Sequence, residues 1–280
     1  MTTLAFEDYS IGRFDILKAP QHKIWYILGR RGSGKTHLMT HLAYITRDRY
    51  DICLAFSPTL STVKTMDGFV NAAYVEDQGF NEARLEQFVA LVAELQRKNK
   101  YRSILILLDD ISHDKSCMRS KLLAMLFCNG RHFNLTIFVT SQTLLSCGPD
   151  LRGQIDFIFI LRNNIKSDRE KLWKHFFGVF PLYVQFEKCF AICSDNRSAL
   201  VLDNCLPNAE IEDCIHFYEA PAAIPDFKIG KQIFHKFGTV AFMVIARLKQ
   251  KKDEEFERKY HHKNSNYRLV RVPVKKNGKK

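Results

Sequence analysis

The chain has 280 residues, 46% of them apolar and 26% charged, with a formal net charge of +12. That length accommodates one large α/β domain with appendages, and the apolar content builds a sizeable core, which excludes a disordered or low-complexity protein. The start of the chain lacks a charged-then-apolar leader, and the apolar run at residues 240–246 is far shorter than a bilayer span of about 20 residues. A soluble, non-secreted protein with no transmembrane segment of its own is expected.

The eight cysteines are dispersed without a C-x-x-C pair, so neither a disulfide framework nor a zinc site is indicated. The charge is uneven: residues 247–280 carry 13 Lys/Arg against 4 Asp/Glu, a balance of +9 that leaves only +3 for residues 1–246. This basic tail favours a polyanionic partner.

In chain order, residues 1–22 read as a lead-in with an edge strand at 14–17, because Pro20 bars a central strand there. The apolar run Ile24-Trp25-Tyr26-Ile27-Leu28 then ends in Gly29-Arg30-Arg31-Gly32-Ser33-Gly34-Lys35-Thr36, a complete G-x-x-x-x-G-K-[ST] phosphate loop. A polyphosphate needs many converging backbone N–H groups, and Gly29, Gly32 and Gly34 let the main chain curl inward without Cβ clashes. Lys35 supplies a charge for the β- and γ-phosphates and Thr36 a hydroxyl ligand for Mg²⁺, while the helix that opens here contributes its positive end. Residues 29–36 and the adjoining His37 are therefore the expected nucleotide-binding set. The helix runs over 37–47; His37 and His41 share a face but find no third ligand nearby, so helix-face histidines are the better reading.

A second strand at 52–56 breaks at Ser57-Pro58-Thr59, and residues 60–80 are weakly patterned. Leu85, Phe88, Leu91, Val92 and Leu95 mark an amphipathic crossover helix. The run Ile104-Leu105-Ile106-Leu107-Leu108 closes in Asp109-Asp110. This is the form of a Walker B strand, buried on both faces with its acids at the ligand edge of a parallel sheet. Asp109 is expected to hold Mg²⁺ and Asp110 to orient or deprotonate the attacking water. After a helix at 118–127 come Asn129-Gly130-Arg131-His132 and a strand at 135–140 that ends in Ser141-Gln142. Gln142 stands where an amide can sense a γ-phosphate and the lytic water together. A fifth strand spans 155–161 with Arg162 at its end. Five apolar runs alternating with helices predict an α/β fold: a P-loop NTPase with a mostly parallel sheet of five or more strands flanked by helices.

These motifs, in this order and spacing, resemble the genome-packaging ATPases of poxviruses and other nucleocytoplasmic large DNA viruses, within the FtsK–HerA group of P-loop motors. The specific part is Gly130-Arg131-His132 followed by a strand into Gln142; the resemblance covers about residues 20–205, and Ser57-Pro58-Thr59 looks like the family's second-strand ending. It implies ATP and Mg²⁺ as ligands and double-stranded DNA as the translocated partner. It also implies capsid or portal-vertex proteins as further partners, a homo-oligomeric ring, and a place in the infected cell, its viral factory or the virion. An arginine finger is implied too, with Arg131, Arg152 and Arg162 as candidates. Asp110 departs from the Glu usual in cellular members, which makes Asp114 a fallback for positioning water.

Beyond the motifs, Ser167-Asp168-Arg169-Glu170 reads as a capping box opening a helix. A helix carrying Leu182, Phe186 and Phe190 and a strand at 199–202 follow. The expected organisation is a lead-in (1–22), an ATPase core (23–205), appended strands and helix (206–246) that include a linker at 221–225 and a helix from Val240, and the basic tail (247–280). Two other functional classes compete with the motor: an ATP-binding DNA clamp or capsid-associated adaptor with little turnover, and a small-molecule P-loop kinase. A GTPase is disfavoured because Asn163-Asn164-Ile165-Lys166 does not match N-K-x-D.

Overall fold

A computed structural model describes residues 3–6, 9–98, 103–110, 117, 119–143, 148–195, 197–206 and 210–236. Asp114, the helix expected from Val240 and the basic tail lie outside these residues.

Ten strands form one sheet: β1 (Thr3–Phe6), β2 (Tyr9–Arg13), β3 (Ile24–Leu28), β4 (Ile52–Phe56), β5 (Val75–Glu76), β6 (Ile104–Leu108), β7 (Leu135–Ser141), β8 (Phe157–Leu161), β9 (Ser198–Asp203) and β10 (Ile215–Glu219). Their spatial order is β1-β2-β10-β9-β8-β3-β7-β6-β4-β5. From β8 to β5 every pairing is parallel, so the expected parallel core is present as a six-stranded block. Beyond it β9 runs antiparallel to β8, β10 antiparallel to β9, and β2 parallel to β10.

The five central strands are buried at every position, which is why they carry no polar alternation. Successive side chains point to opposite faces. Tyr26, Leu54 and Ile106 join one core with Leu85, Phe88 and Val92 of α3 (Glu82–Arg97) and Leu123 and Leu126 of α4 (Lys121–Asn129). Phe186 and Phe190 of α7 (Tyr183–Cys193) belong to it too. Trp25, Ala55 and Leu107 join the other with Leu38, Met39 and Leu42 of α1 (Lys35–Thr46) and Met66 of α2 (Leu60–Asp67). The result is three layers, helix over sheet over helix.

Four local expectations are corrected. Residues 14–17 are not a strand; Phe14 donates its N–H to Phe217 O at 2.9 Å, after which Lys18 N–H closes a turn on Asp15 O at 3.1 Å. The lead-in enters the sheet earlier, through β1 and β2. The weakly patterned stretch 60–80 holds α2, a 3-10 turn at Ala72–Tyr74 and the two-residue β5. The capping box at Ser167 does not form: α6 (Lys166–His175) starts two residues earlier than that cap would place it, its N-cap Ile165 has no side-chain cap, and Asn163 Oδ1 instead accepts the Ile165 N–H at 3.0 Å. Leu91 of α3, placed on the apolar face by its spacing, is 45% exposed.

From the end of β10 the chain runs without regular structure over residues 220–231, forming a strap across α1 and α2. Phe227 stacks on Phe69 with centroids 4.7 Å apart and meets Tyr44 edge-on. Ile229 N–H donates to Phe69 O at 2.9 Å, and Lys231 pairs with Asp51 at 2.6 Å beside the start of β4.

His41 sits under the start of this strap, buried, with Nε2 2.8 Å from the Tyr218 hydroxyl. Burial, then the neighbouring His37 and Arg13 charges, push its pKa down to about 4. Between that value and about 6.5 the unfolded chain binds the proton that the folded chain refuses, so stability rises with pH across this window. Lowering the pH from 7 to 5 is expected to remove about 2 kcal/mol through His41. Urea titrations of wild type and His41→Gln at both pH values check this, the variant showing the smaller loss.

Candidate nucleotide site at the strand ends

The candidate site forms where β4, β6, β7 and β3 end side by side. The registers Phe56↔Leu108 and Leu108↔Val139 bring the next residues, Ser57, Asp109 and Thr140, into one row. Ser57 Oγ donates to Asp109 Oδ2 at 3.0 Å and Thr140 Oγ1 donates to Asp109 Oδ1 at 2.8 Å. Thr36 Oγ1, at the start of α1, donates to the same Oδ1 at 3.4 Å. Three hydroxyls thus converge on one carboxylate that is 5% exposed.

Asp110 follows with φ 50°, a left-handed conformation that costs a non-glycine residue of order 1–3 kcal/mol and clusters at functional sites. Its N–H donates to Thr140 Oγ1 at 2.8 Å, and its Oδ2 accepts from Gln142 Nε2 at 2.7 Å. Because β7 lies between β3 and β6, Gln142 stands between the phosphate loop and the acid pair; Gly29 N–H donates to Ser141 O at 3.2 Å.

The loop's glycines serve different needs. Gly32 and Gly34 have φ of 76° and 95° with open space where a Cβ would stand, so conformation is what they supply. At Gly29 a Cβ would touch Ser33 Oγ and come within 3.0 Å of Leu161 Cβ. Gly29→Ala is expected to displace the loop at a cost of about 1–3 kcal/mol, roughly a ten- to hundredfold loss of nucleotide affinity. Equilibrium binding of a fluorescent ATP analogue measures it.

Arg30 O accepts both the Ser33 N–H at 3.1 Å and Lys35 Nζ at 3.0 Å. Burial lowers the pKa of Lys35, and Asp110 and then Asp109 pull it back up. The first turn of α1 has no side-chain cap and no acidic residue, leaving its N–H groups to an anion. Ser33 Oγ is buried without a partner. These features fit a polyphosphate. The Thr36 and Asp109 oxygens fit Mg²⁺, a hard cation that takes one or two protein carboxylates and completes its shell with phosphate oxygens and water.

Not every expected residue is gathered here. His37 Nε2 donates to Pro221 O of the strap at 2.8 Å. Arg30 and Arg31 are exposed beside a cleft of about 540 Å³ that also takes in Arg162 and Arg197. Arg162 pairs with Asp195 at 3.6 Å. Arg131, read as part of the catalytic set, is not brought to the acids: it lies in the 3-10 turn Gly130–Phe133 that precedes β7, so a whole strand, about 20 Å of extended chain, separates it from Gln142. Arg152 closes the short helix α5 (Pro149–Arg152). Conversely, the roles of Ser57 and Thr140 were not read from sequence; the signal was a hydroxyl at the ligand end of a buried strand.

The family model described as Poxvirus A32 protein matches residues 13–204. The chain belongs to this family. Among its relatives, protein L437 of Acanthamoeba polyphaga mimivirus is 26% identical over 228 residues, covering 77% of this chain and 78% of the relative. Protein 088R of Invertebrate iridescent virus 3 is 28% identical over 216 residues, covering 76% and 82%. The fold of this A32-family chain is similar to that of B204, the DNA-packaging ATPase of Sulfolobus turreted icosahedral virus, with TM-score 0.52, 14% identity and coverage of 72% of this chain and 100% of B204. The structure of B204 from Sulfolobus turreted icosahedral virus 2 in complex with ATP-gammaS gives TM-score 0.50 at 15% identity, covering 71% and 98%. Both solved structures support a P-loop α/β fold for the A32-family chain, and no helix among its described residues is long and apolar enough to cross a membrane.

Proposed function

We propose that this chain is an ATP-hydrolysing motor that moves double-stranded viral DNA into a capsid. The observation that carries the reading is the convergence of Thr36, Ser57 and Thr140 on Asp109, with the Asp110–Gln142 pair between it and the phosphate loop. The loop N–H groups and Lys35 bind the phosphates. Thr36 and Asp109 hold Mg²⁺, which when bound neutralises charge on the phosphate oxygens. Asp110, held by Gln142, accepts a proton from or orients the attacking water, and the Gln142 amide reports the γ-phosphate to the acid pair.

Membership in the A32 family and likeness to a viral DNA-packaging ATPase support DNA as the partner. They also support a capsid setting in virus-infected cells. A homo-oligomeric ring belongs to the same reading, with an arginine finger supplied by a neighbouring subunit; Arg131, at the far end of β7 from the acids, is the candidate.

Phosphate release measured with and without duplex DNA tests the proposal, with stimulation by duplex expected. Turnover that ignores DNA and passes phosphate to a nucleoside would favour a kinase, and tight ATP binding without turnover a clamp. Removing residues 250–280 is expected to weaken DNA binding and flatten its salt dependence, each phosphate contact contributing a slope of about −0.9 in log affinity against log salt. An unchanged slope would make the tail a solubiliser or capsid contact.

A further inference from the structure

A phosphate loop reads phosphates and leaves the base unread. Two cavities border this one. The cleft on the β8 side is lined by Arg30, Arg31, Arg197 and the Arg162–Asp195 pair, a net positive set that suits an anion. The other, about 430 Å³, opens at Thr36 and His37 on the first turn of α1 and lies between α1, the end of α2 and the strap. Its apolar wall is the stacked pair Phe69 and Phe227 with Ile224 and Pro225; its polar groups include Thr40, Thr65 and Asp226.

We propose that this second cavity receives the nucleoside of the triphosphate, with the base against the strap and an exocyclic amino group directed at Asp226. The inference rests on the nucleotide-site reading and extends it to the base. Continuity supports it, because Thr36 belongs both to the cluster around Asp109 and to the cavity wall. Size supports it, since small-molecule pockets run from about 300 to 1,000 Å³. Chemistry favours the strap cavity: a flat heterocycle with few polar atoms matches aromatic and aliphatic walls with a few placed oxygens, whereas the other cleft, lined by Arg30, Arg31, Arg197 and the Arg162–Asp195 pair, offers charge to phosphate oxygens. An ionised carboxylate only accepts hydrogen bonds; adenine's amino group offers it a donor with no flanking carbonyl, whereas uracil's N3–H lies between two carbonyl oxygens that a carboxylate repels, so Asp226 favours adenine over uracil.

The strap also lies beyond residues 13–204, the part matched by the family model. The base end of the site is thus built by a segment outside it, anchored by the His37–Pro221, Ile229–Phe69 and Lys231–Asp51 contacts.

Calorimetric affinities for ATP, UTP and inorganic tripolyphosphate, each with Mg²⁺, test the proposal on the full chain. Thr65→Trp, at an exposed position lining the cavity, is expected to weaken ATP at least tenfold and leave tripolyphosphate unchanged. Asp226→Ala, also exposed, is expected to erase the preference for ATP over UTP. Folded Thr65→Trp with unchanged ATP affinity, or Asp226→Ala with an unchanged ATP to UTP ratio, would overturn the assignment of the cavity. Lys35→Ala serves as the separate check on the underlying reading: if it still binds tripolyphosphate like wild type, the phosphate site itself is wrong.

Discussion

Lys35→Ala is expected to lower kcat/KM for ATP by at least about 10²–10³, the usual cost of removing one preorganised donor from a developing negative charge. The residue is 8% exposed and its ammonium is held against Arg30 O at 3.0 Å; burial lowers its pKa, and Asp110 and Asp109 partly offset this. It is thus positioned before any nucleotide arrives, and little reorganisation accompanies binding. The fold should tolerate the change. Deleting the side chain frees one carbonyl that still accepts the Ser33 N–H, and removes an ammonium whose burial is itself unfavourable, so the stability change should stay within about 1 kcal/mol. Steady-state phosphate release together with a thermal melt separates the two effects. A variant that melts normally yet hydrolyses ATP at the wild-type rate would sink the assignment.

Asp109→Ala should differ by damaging both activity and stability. Its carboxylate accepts from Thr36, Ser57 and Thr140, and the last two hydroxyls are fully buried. Removing it leaves those two donors without an acceptor, at about 1–3 kcal/mol each. A loss of about 2–5 kcal/mol corresponds to a drop in Tm of roughly 5–15 °C for a chain of this size. Hydrolysis should fall at least as far as in Lys35→Ala, because Thr36 then lacks its partner at the proposed cation site. Asp109→Asn keeps the shape and one acceptor oxygen; it is expected to recover most of the Tm and little of the activity. Differential scanning calorimetry beside a phosphate-release assay distinguishes this from a purely structural acid, for which Asn would restore both.

The parallel block and the loop were legible because their signals are local. An unbroken apolar run such as 104–108 reads as a strand covered on both faces, and the glycine spacing of 29–36 is dictated by backbone conformation at Gly32 and Gly34 and by crowding at Gly29. The polar strand endings Ser57, Asp109, Thr140 and Gln142 gather at one edge of the sheet, because parallel strands in register end side by side. The edge of the sheet was harder. β1, β2, β5 and the strap are short or irregular, and nothing periodic in residues 1–13 or 220–231 announces where they pack.

What the sequence alone determined is the phosphate loop, the acids that follow a buried strand, and the amide at Gln142. Tertiary structure decided their relation. Placing β7 between β3 and β6 put Gln142 on Asp110, and strand register put Ser57 and Thr140 on Asp109. The same packing left Arg131 at the opposite end of β7 and folded residues 220–231 back over α1. Pairing and register depend on contacts between residues up to about two hundred positions apart, as between Gly12 and His216, which no local pattern of amino acids encodes.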